Sequence, residues 1–169
     1  QLKDIVKQNR DLGIIKMEVR RNVRPEKNFL ESVRKISKKN NIILIFDECT
    51  SGFRENFGGL HKKYNVIPDI AIFGKALGNG YGINAVVGKS NVMKFAEKSF
   101  ISSTFWSERI GPTAALKTLE VMEKIKSWKI ISKQGRKIKN GWMKLAQKYN
   151  LSITIEGLDP LCSFRFLGP

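Results

Sequence analysis

Two apolar runs in the middle of the chain each end on a charged residue, and together they predict the frame of the fold. Residues 42–46, IILIF, are an unbroken β-branched and aromatic stretch of the kind that makes a strand buried on both faces, and the run stops at Asp47 and Glu48. Residues 70–73, IAIF, follow Pro68 and Asp69 and stop at Gly74 and Lys75, ahead of the loop ALGNGYG. An acidic pair is therefore expected at the carboxyl end of one strand and a lysine at the end of its neighbour.

The flanking pattern fills in the rest. Residues 2–10 read as the tail of a helix, and Gly13 opens IIKMEV, a buried-strand candidate ending near Glu18. Phe29, Leu30, Val33 and Ile36 recur at helical spacing, so strand, helix and strand make a βαβ unit whose crossover is right-handed in a parallel sheet. Residues 50–64 have loop composition with a short helical turn near HKKYNV, a long irregular segment of the kind that often binds ligands. A strand is expected at 85–87 and a helix at 90–98, capped by Ser90, with Val92, Met93 and Phe95 turned inward. Residues 100–106, FISSTFW, fit either a paired strand or a loop. Pro112 starts a helix with Ala114, Ala115, Leu119 and Met122 on its apolar face. A longer helix at 128–149 offers Ile130, Ile131, Ile138, Trp142, Leu145 and Ala146 as inner positions, and beyond it a β pattern alternates around Gly157 and Pro160.

This order predicts the α/β class. Residues 1–127 form a mostly parallel sheet flanked by helices, and residues 128–169 supply a connecting helix and the start of a small carboxyl-terminal α/β domain. No internal repeat is visible and both ends fall in mid-pattern, so the chain is expected to be part of a longer one.

Composition narrows the function classes. With 41% hydrophobic and 27% charged residues, the chain has the make-up of a soluble globular domain, so disorder is not the default. No apolar run is long enough to span a bilayer, and the first ten residues lack the apolar core of a secretion signal, so a cytoplasmic protein is the simplest expectation. Cys49 and Cys162 belong to no metal-ligand spacing, and His61, the only histidine, is expected as a solvated loop residue. A net charge of +16 raises the alternative of a basic module for nucleic acid or another polyanion, acting without a cofactor. The lysines and arginines are spread along the chain without interleaved aromatics or a nucleic-acid motif, which favours a solvated basic surface.

The strand ends carry the candidate chemistry. In open α/β sheets ligands collect outside the carboxyl ends of the strands, so Asp47 and Lys75 can face one small molecule. A lysine amine can form an imine with an aldehyde, and a carboxylate can keep a pyridine nitrogen protonated. Those two acts are a protein's share of pyridoxal 5'-phosphate chemistry. Glu48 fits a partner for Arg54 or another basic residue equally well. Glycines 78, 80 and 82 match neither the dinucleotide nor the P-loop pattern and are expected to allow tight turns beside the lysine.

DECTSGFR followed by PDIAIFGKALGNGYGINAVVG resembles the signature of the class III aminotransferases of fold type I. Within that family the two stretches are most similar to the glutamate-1-semialdehyde aminomutase branch, which lacks the Gln that other members place where Thr50 stands. The resemblance implies the large domain of a pyridoxal-phosphate-dependent transaminase or aminomutase acting on a small amino or oxo substrate. It implies that Lys75 holds the cofactor as a Schiff base and shuttles the substrate proton, that Asp47 pairs with the ring nitrogen, and that Cys49 packs on the ring face. Thr50 falls among the cofactor contacts, and Glu18 resembles a structural active-site glutamate although Val19 departs from the usual Glu-Pro. Ser103 and Thr104 resemble the motif that bonds the cofactor phosphate of the neighbouring subunit, which implies a homodimer with a shared active site. The family's upstream phosphate loop and ring-stacking aromatic have no counterpart here, so this length of chain is expected to be poorly soluble, weak in cofactor binding or inactive by itself.

Overall fold

The computed structural model describes residues 1–105 and 107–168. Its centre is a four-stranded sheet in the order β1-β2-β3-β4, with β1 Ile14–Glu18, β2 Ile43–Asp47, β3 Ile70–Phe73 and β4 Ala85–Gly88. The first three strands are parallel, with Lys16 opposite Ile45, Glu18 opposite Asp47 and Phe46 opposite Ala71, while β4 returns antiparallel along β3. Parallel strands need a long crossover. Helix α2, Phe29–Lys39, supplies it between β1 and β2, as its apolar spacing predicts. Helix α1, Leu2–Gln8, precedes the sheet.

One face of the sheet is covered. Leu44 and Phe46 of β2 are fully buried against Leu30 and Val33 of α2, with Leu60, Val66 and Leu158 completing the cluster. Ala71 and Phe73 continue that face into a second cluster with Phe53, Ala76, Leu77 and Ala115. The opposite face holds Lys16, Ile43, Ile45, Asp47, Ile70 and Ile72, none of them fully buried. The expectation of a strand buried on both faces is thus corrected: β2 alternates between buried and half-buried because the described residues cover only one side.

Asp69, just before β3, ties three elements together. Its oxygens accept a two-pronged ion pair from Arg34 of α2, a bond from Lys89 Nζ at 2.8 Å and one from the Leu44 amide at 2.9 Å. Burial opposes its charge, but these partners hold its carboxyl well below the usual carboxylate range. The backbone amide of Lys89 also donates to the Asp69 carbonyl, and Lys89, not Ser90, is the residue that precedes helix α3, Ser90–Met93. That helix is one turn long, gives way to a 3-10 turn at Ala96–Lys98, and leaves Phe95 exposed rather than inward. Residues 100–105 form an exposed loop without a strand, and Trp106 of the same stretch lies outside the described residues.

Helix α4, Ile110–Ile125, packs Gly111 and Ala115 inward and is followed by α5, Ser127–Lys148. The buried positions of α5 are Ser132, Gly135 and Ala146, whereas Ile130, Ile138 and Leu145 are exposed. Ala146 is buried and Ile131 and Trp142 half-buried as expected, and close approach explains why small residues take the other buried positions. A Cβ on Gly135 would lie 1.8 Å from the carbonyl oxygen of Asp159, so only small residues fit where α5 meets the turn Asp159–Leu161. Arg136 and Lys139 clamp the Asp159 carboxylate at 2.8 and 3.1 Å. The tail ends in an antiparallel pair, β5 Ile153–Glu156 and β6 Ser163–Phe166. No helix among the described residues is long and apolar enough to cross a membrane.

Candidate active site

Asp47 is the last residue of β2, and its carboxylate is engaged at both oxygens. The Cys49 amide donates to Oδ1 at 3.2 Å, and the ammonium of Lys16 sits 3.0 Å from Oδ2. The hydrogen bond from Lys16 is the main cause of a carboxyl held below its ordinary range, with burial opposing it and the Cys49 amide assisting. Glu18, in register with Asp47, is only loosely paired to Arg21 at 3.4 Å, and its Oε2 finds no partner among the described residues.

Lys75 follows β3 in the same way. Gly74 precedes it because a Cβ there would sit 2.3 Å from the Asn84 side-chain oxygen and 3.3 Å from the Cys49 sulfur. Lys75 itself has φ 45, in the left-handed region that non-glycine residues adopt only at a cost. The turn is held on both sides of that strain. Ala76 and Leu77 are buried in the core, and the Asn79 amide donates to the Lys75 carbonyl at 3.0 Å. The exposed side chain donates from Nζ to Thr50 Oγ1 at 3.1 Å.

Cys49 stands between the two charges. Burial pushes its thiol up, a hydrogen bond and the negative charge of Asp47 push it further, and the Lys75 and Lys16 ammonium groups pull the other way. The structure therefore gathers four of the residues expected at the site, Asp47, Cys49, Thr50 and Lys75, at the carboxyl edge of β2 and β3. It leaves two elsewhere. Ser103 and Thr104 lie in the exposed loop, where Ser103 Oγ accepts only the Phe105 amide at 3.4 Å among the described contacts.

The other carboxylate of the pair points inward. Glu48 is completely buried and accepts bonds from Ser51 Oγ at 2.6 Å, the Leu60 amide at 2.8 Å, the His61 amide at 2.9 Å and His61 Nδ1 at 2.8 Å. Desolvation opposes its charge, yet the bonds from His61, Ser51 and Leu60 bring its carboxyl below the ordinary range. Two expectations are corrected by this. His61 is buried rather than solvated, because the loop after Glu48 folds back and inserts it as a partner for the acid. Arg54 does not pair with Glu48, and its Nε has no partner among the described residues.

An open cleft of about 1130 Å³ lies on the far flank of Lys75, between the turn 78–81 and α4, and includes Arg54, Tyr81 and Arg109 in its walls. It reaches Lys75 but not Asp47, Cys49 or Thr50. Of the two charged groups, Asp47 faces the half-covered side of the sheet and Lys75 alone lines the cleft. Lys16 is the residue of this site that sequence reasoning did not single out. The available signal is a lone ammonium within the apolar run IIKME, two positions before Glu18 and so on the same face.

The model of the family described as "Aminotransferase class-III" matches residues 22–168. The 3-aminobutyryl-CoA aminotransferase of Cloacimonas acidaminovorans is 38% identical over 144 residues, covering 83% of this chain and 35% of that protein. The glutamate-1-semialdehyde 2,1-aminomutase of Methanosphaera stadtmanae is 33% identical, covering 98% of this chain and 41% of its own length. The chain thus spans well under half of the curated relatives it matches. Among solved structures, the PLP internal aldimine form of the FumI protein of Sphingopyxis sp. MTA144 superposes with a TM-score of 0.92 at 21% identity, over 98% of this chain and 42% of that one. The ornithine aminotransferase of Plasmodium yoelii gives 0.80 at 24% identity, over 98% and 46%.

Proposed function

Since the chain belongs to the class III aminotransferases, we propose that it is the lysine-bearing core of an enzyme that transfers amino groups to or from small amino and oxo compounds with pyridoxal 5'-phosphate. One observation carries the reading: a carboxylate at the end of β2 and an amine just past the end of the adjacent parallel strand β3 are tied to consecutive residues, Asp47 to the Cys49 amide and Lys75 to the Thr50 hydroxyl. The residues fit the cofactor. Lys75 offers an exposed primary amine to an aldehyde, Asp47 offers an anion to a ring nitrogen, and Cys49 adjoins both Asp47 and the glycine before Lys75. Bound there, the cofactor would supply the electron sink that lets the proton leave the substrate's amine-bearing carbon.

The chain's own groups do the remainder. Thr50 Oγ1 accepts from Lys75 Nζ and so aims the amine. With substrate bound, the Lys75 amine would be the base that moves a proton on and off the substrate carbon. Asp47 stays charged through this, because the bonds it accepts favour the anion. The same assignment of Lys75 and Asp47 serves an intermolecular transfer and an intramolecular amino shift, and relatives of both names are found. Ser103 and Thr104, in an exposed loop, are proposed to serve the cofactor phosphate of a second copy of the chain in a homodimer.

The test is site-specific trapping. The protein is incubated with pyridoxal phosphate at concentrations that leave surface lysines unmodified, reduced with borohydride, digested and analysed by mass. The expected adduct is on Lys75 and is absent in Lys75→Ala. Label spread over surface lysines without preference for Lys75 overturns the proposal, and salt-sensitive retention on DNA in that case favours the polyanion-binding alternative.

A further inference from the structure

The ion pair between Lys16 and Asp47 points to a residue that governs this site from the neighbouring strand. Lys16 lies on β1 two positions before Glu18, the residue opposite Asp47, on the same face of the sheet, and its stem reaches diagonally across to put Nζ 3.0 Å from Oδ2. The other oxygen, Oδ1, is occupied by the Cys49 amide. The outward-facing acceptor of the carboxylate is therefore the one that Lys16 holds. The Lys16 side chain is more than half exposed and has no second carboxylate among its described ion pairs, so nothing else fixes it there.

We propose that Lys16 is an internal competitor for the Asp47 carboxylate, a positioning residue that sets how strongly a protonated ring nitrogen can be held. This rests on the reading of Asp47 and Lys75 given above. An ionised carboxylate has about four acceptor positions, so a ring N–H can still reach Asp47, but it arrives beside an ammonium. Two cations within about 6 Å in a half-solvated site repel by an amount that corresponds to about tenfold in affinity. Lys16 therefore weakens cofactor binding at the nitrogen end and favours the unprotonated ring. A carboxylate without this neighbour would give the ring nitrogen its full charge.

The experiment compares the chain with Lys16→Met, which keeps the stem and removes the charge, and with Lys16→Arg, which keeps the charge. Each is titrated with pyridoxal phosphate and with its deaza analogue, in which carbon replaces the ring nitrogen, and binding is read by quenching of intrinsic fluorescence. Lys16→Met is expected to improve the preference for pyridoxal phosphate over the analogue by about tenfold, Lys16→Arg to leave it near wild type, and Asp47→Asn to abolish the effect of Lys16→Met. A general loss or gain of electrostatic attraction moves both ligands together and cancels in this ratio. An unchanged ratio in Lys16→Met overturns the role of Lys16 even when borohydride traps Lys75. If wild type yields no Lys75 adduct at all, the assignment of the site falls, and this inference falls with it.

Discussion

Replacing Glu48 with Gln changes almost nothing in shape and much in hydrogen bonding. The carboxylate accepts four bonds in an environment with no access to water: Ser51 Oγ, the Leu60 amide, the His61 amide and His61 Nδ1. Gln keeps one acceptor oxygen, and whichever way it turns its NH₂ confronts one backbone amide that can only donate, Leu60 or His61, while the Ser51 hydroxyl or the His61 ring nitrogen can turn to accept. Each buried donor left unsatisfied costs about 1–3 kcal/mol, more when its lost partner was charged. One such donor, with the loss of the carboxylate's charge from the bonds that remain, gives roughly 2–4 kcal/mol. For a chain of this size that corresponds to a fall in Tm of about 10 °C. Equilibrium urea unfolding at neutral pH measures it. The pH dependence supplies a second check. Because the Glu48 carboxyl lies below its ordinary value near 4.5 in the folded protein, its contribution is complete above that value and disappears as pH falls through the folded one. The gap between wild type and Glu48→Gln should therefore close in acid. A variant within about 0.5 kcal/mol of wild type at neutral pH, or a gap unchanged in acid, refutes the account.

Asp69→Asn is expected to cost about 2–4 kcal/mol by leaving Arg34 and Lys89 without their anion, measured by the same unfolding experiment. Gly135→Ala should be worse tolerated than any other alanine in α5, because the new methyl would meet a backbone carbonyl that cannot swing aside. About 3 kcal/mol or loss of soluble protein is the expected result, scored by thermal melting. Cys49 alkylation at fixed mildly alkaline pH should run several-fold faster in Asp47→Asn and slower in Lys75→Ala, since the aspartate raises and the lysine lowers the thiol. Rates that move in the same direction in both variants contradict the placement of Cys49 between them.

The carboxyl edge of the sheet was legible because β2 and β3 are short continuous apolar runs that stop abruptly on Asp47 and Lys75. No long-range information is needed to see such an end. The partners of Glu48 were hidden for the opposite reason: His61 reaches it only because a loop of glycine, asparagine and phenylalanine doubles back over 13 residues, which composition does not encode. The inner face of α5 is legible in part, at Ala146, Ile131 and Trp142, but periodicity counts large apolar residues, while the contact with Asp159 admits only a small one at Gly135. Lys16 escaped notice because a single lysine in a strand reads as solvent-facing, and only the register of β1 on β2 shows which carboxylate it meets. The half-covered face was invisible as well, since a continuous apolar run looks the same whether one or both sides are packed.

Asp69 stands at the amino end of β3 and Lys75 just past its carboxyl end. The strand is moored at one tip and carries the proposed reactive amine at the other. Retooling for a new reaction can therefore proceed at the rim, by exchanging residues such as Thr50 or Lys16, while the mooring stays untouched. A lineage that keeps Arg34, Asp69 and Lys89 has licence to experiment at the other end of the strand.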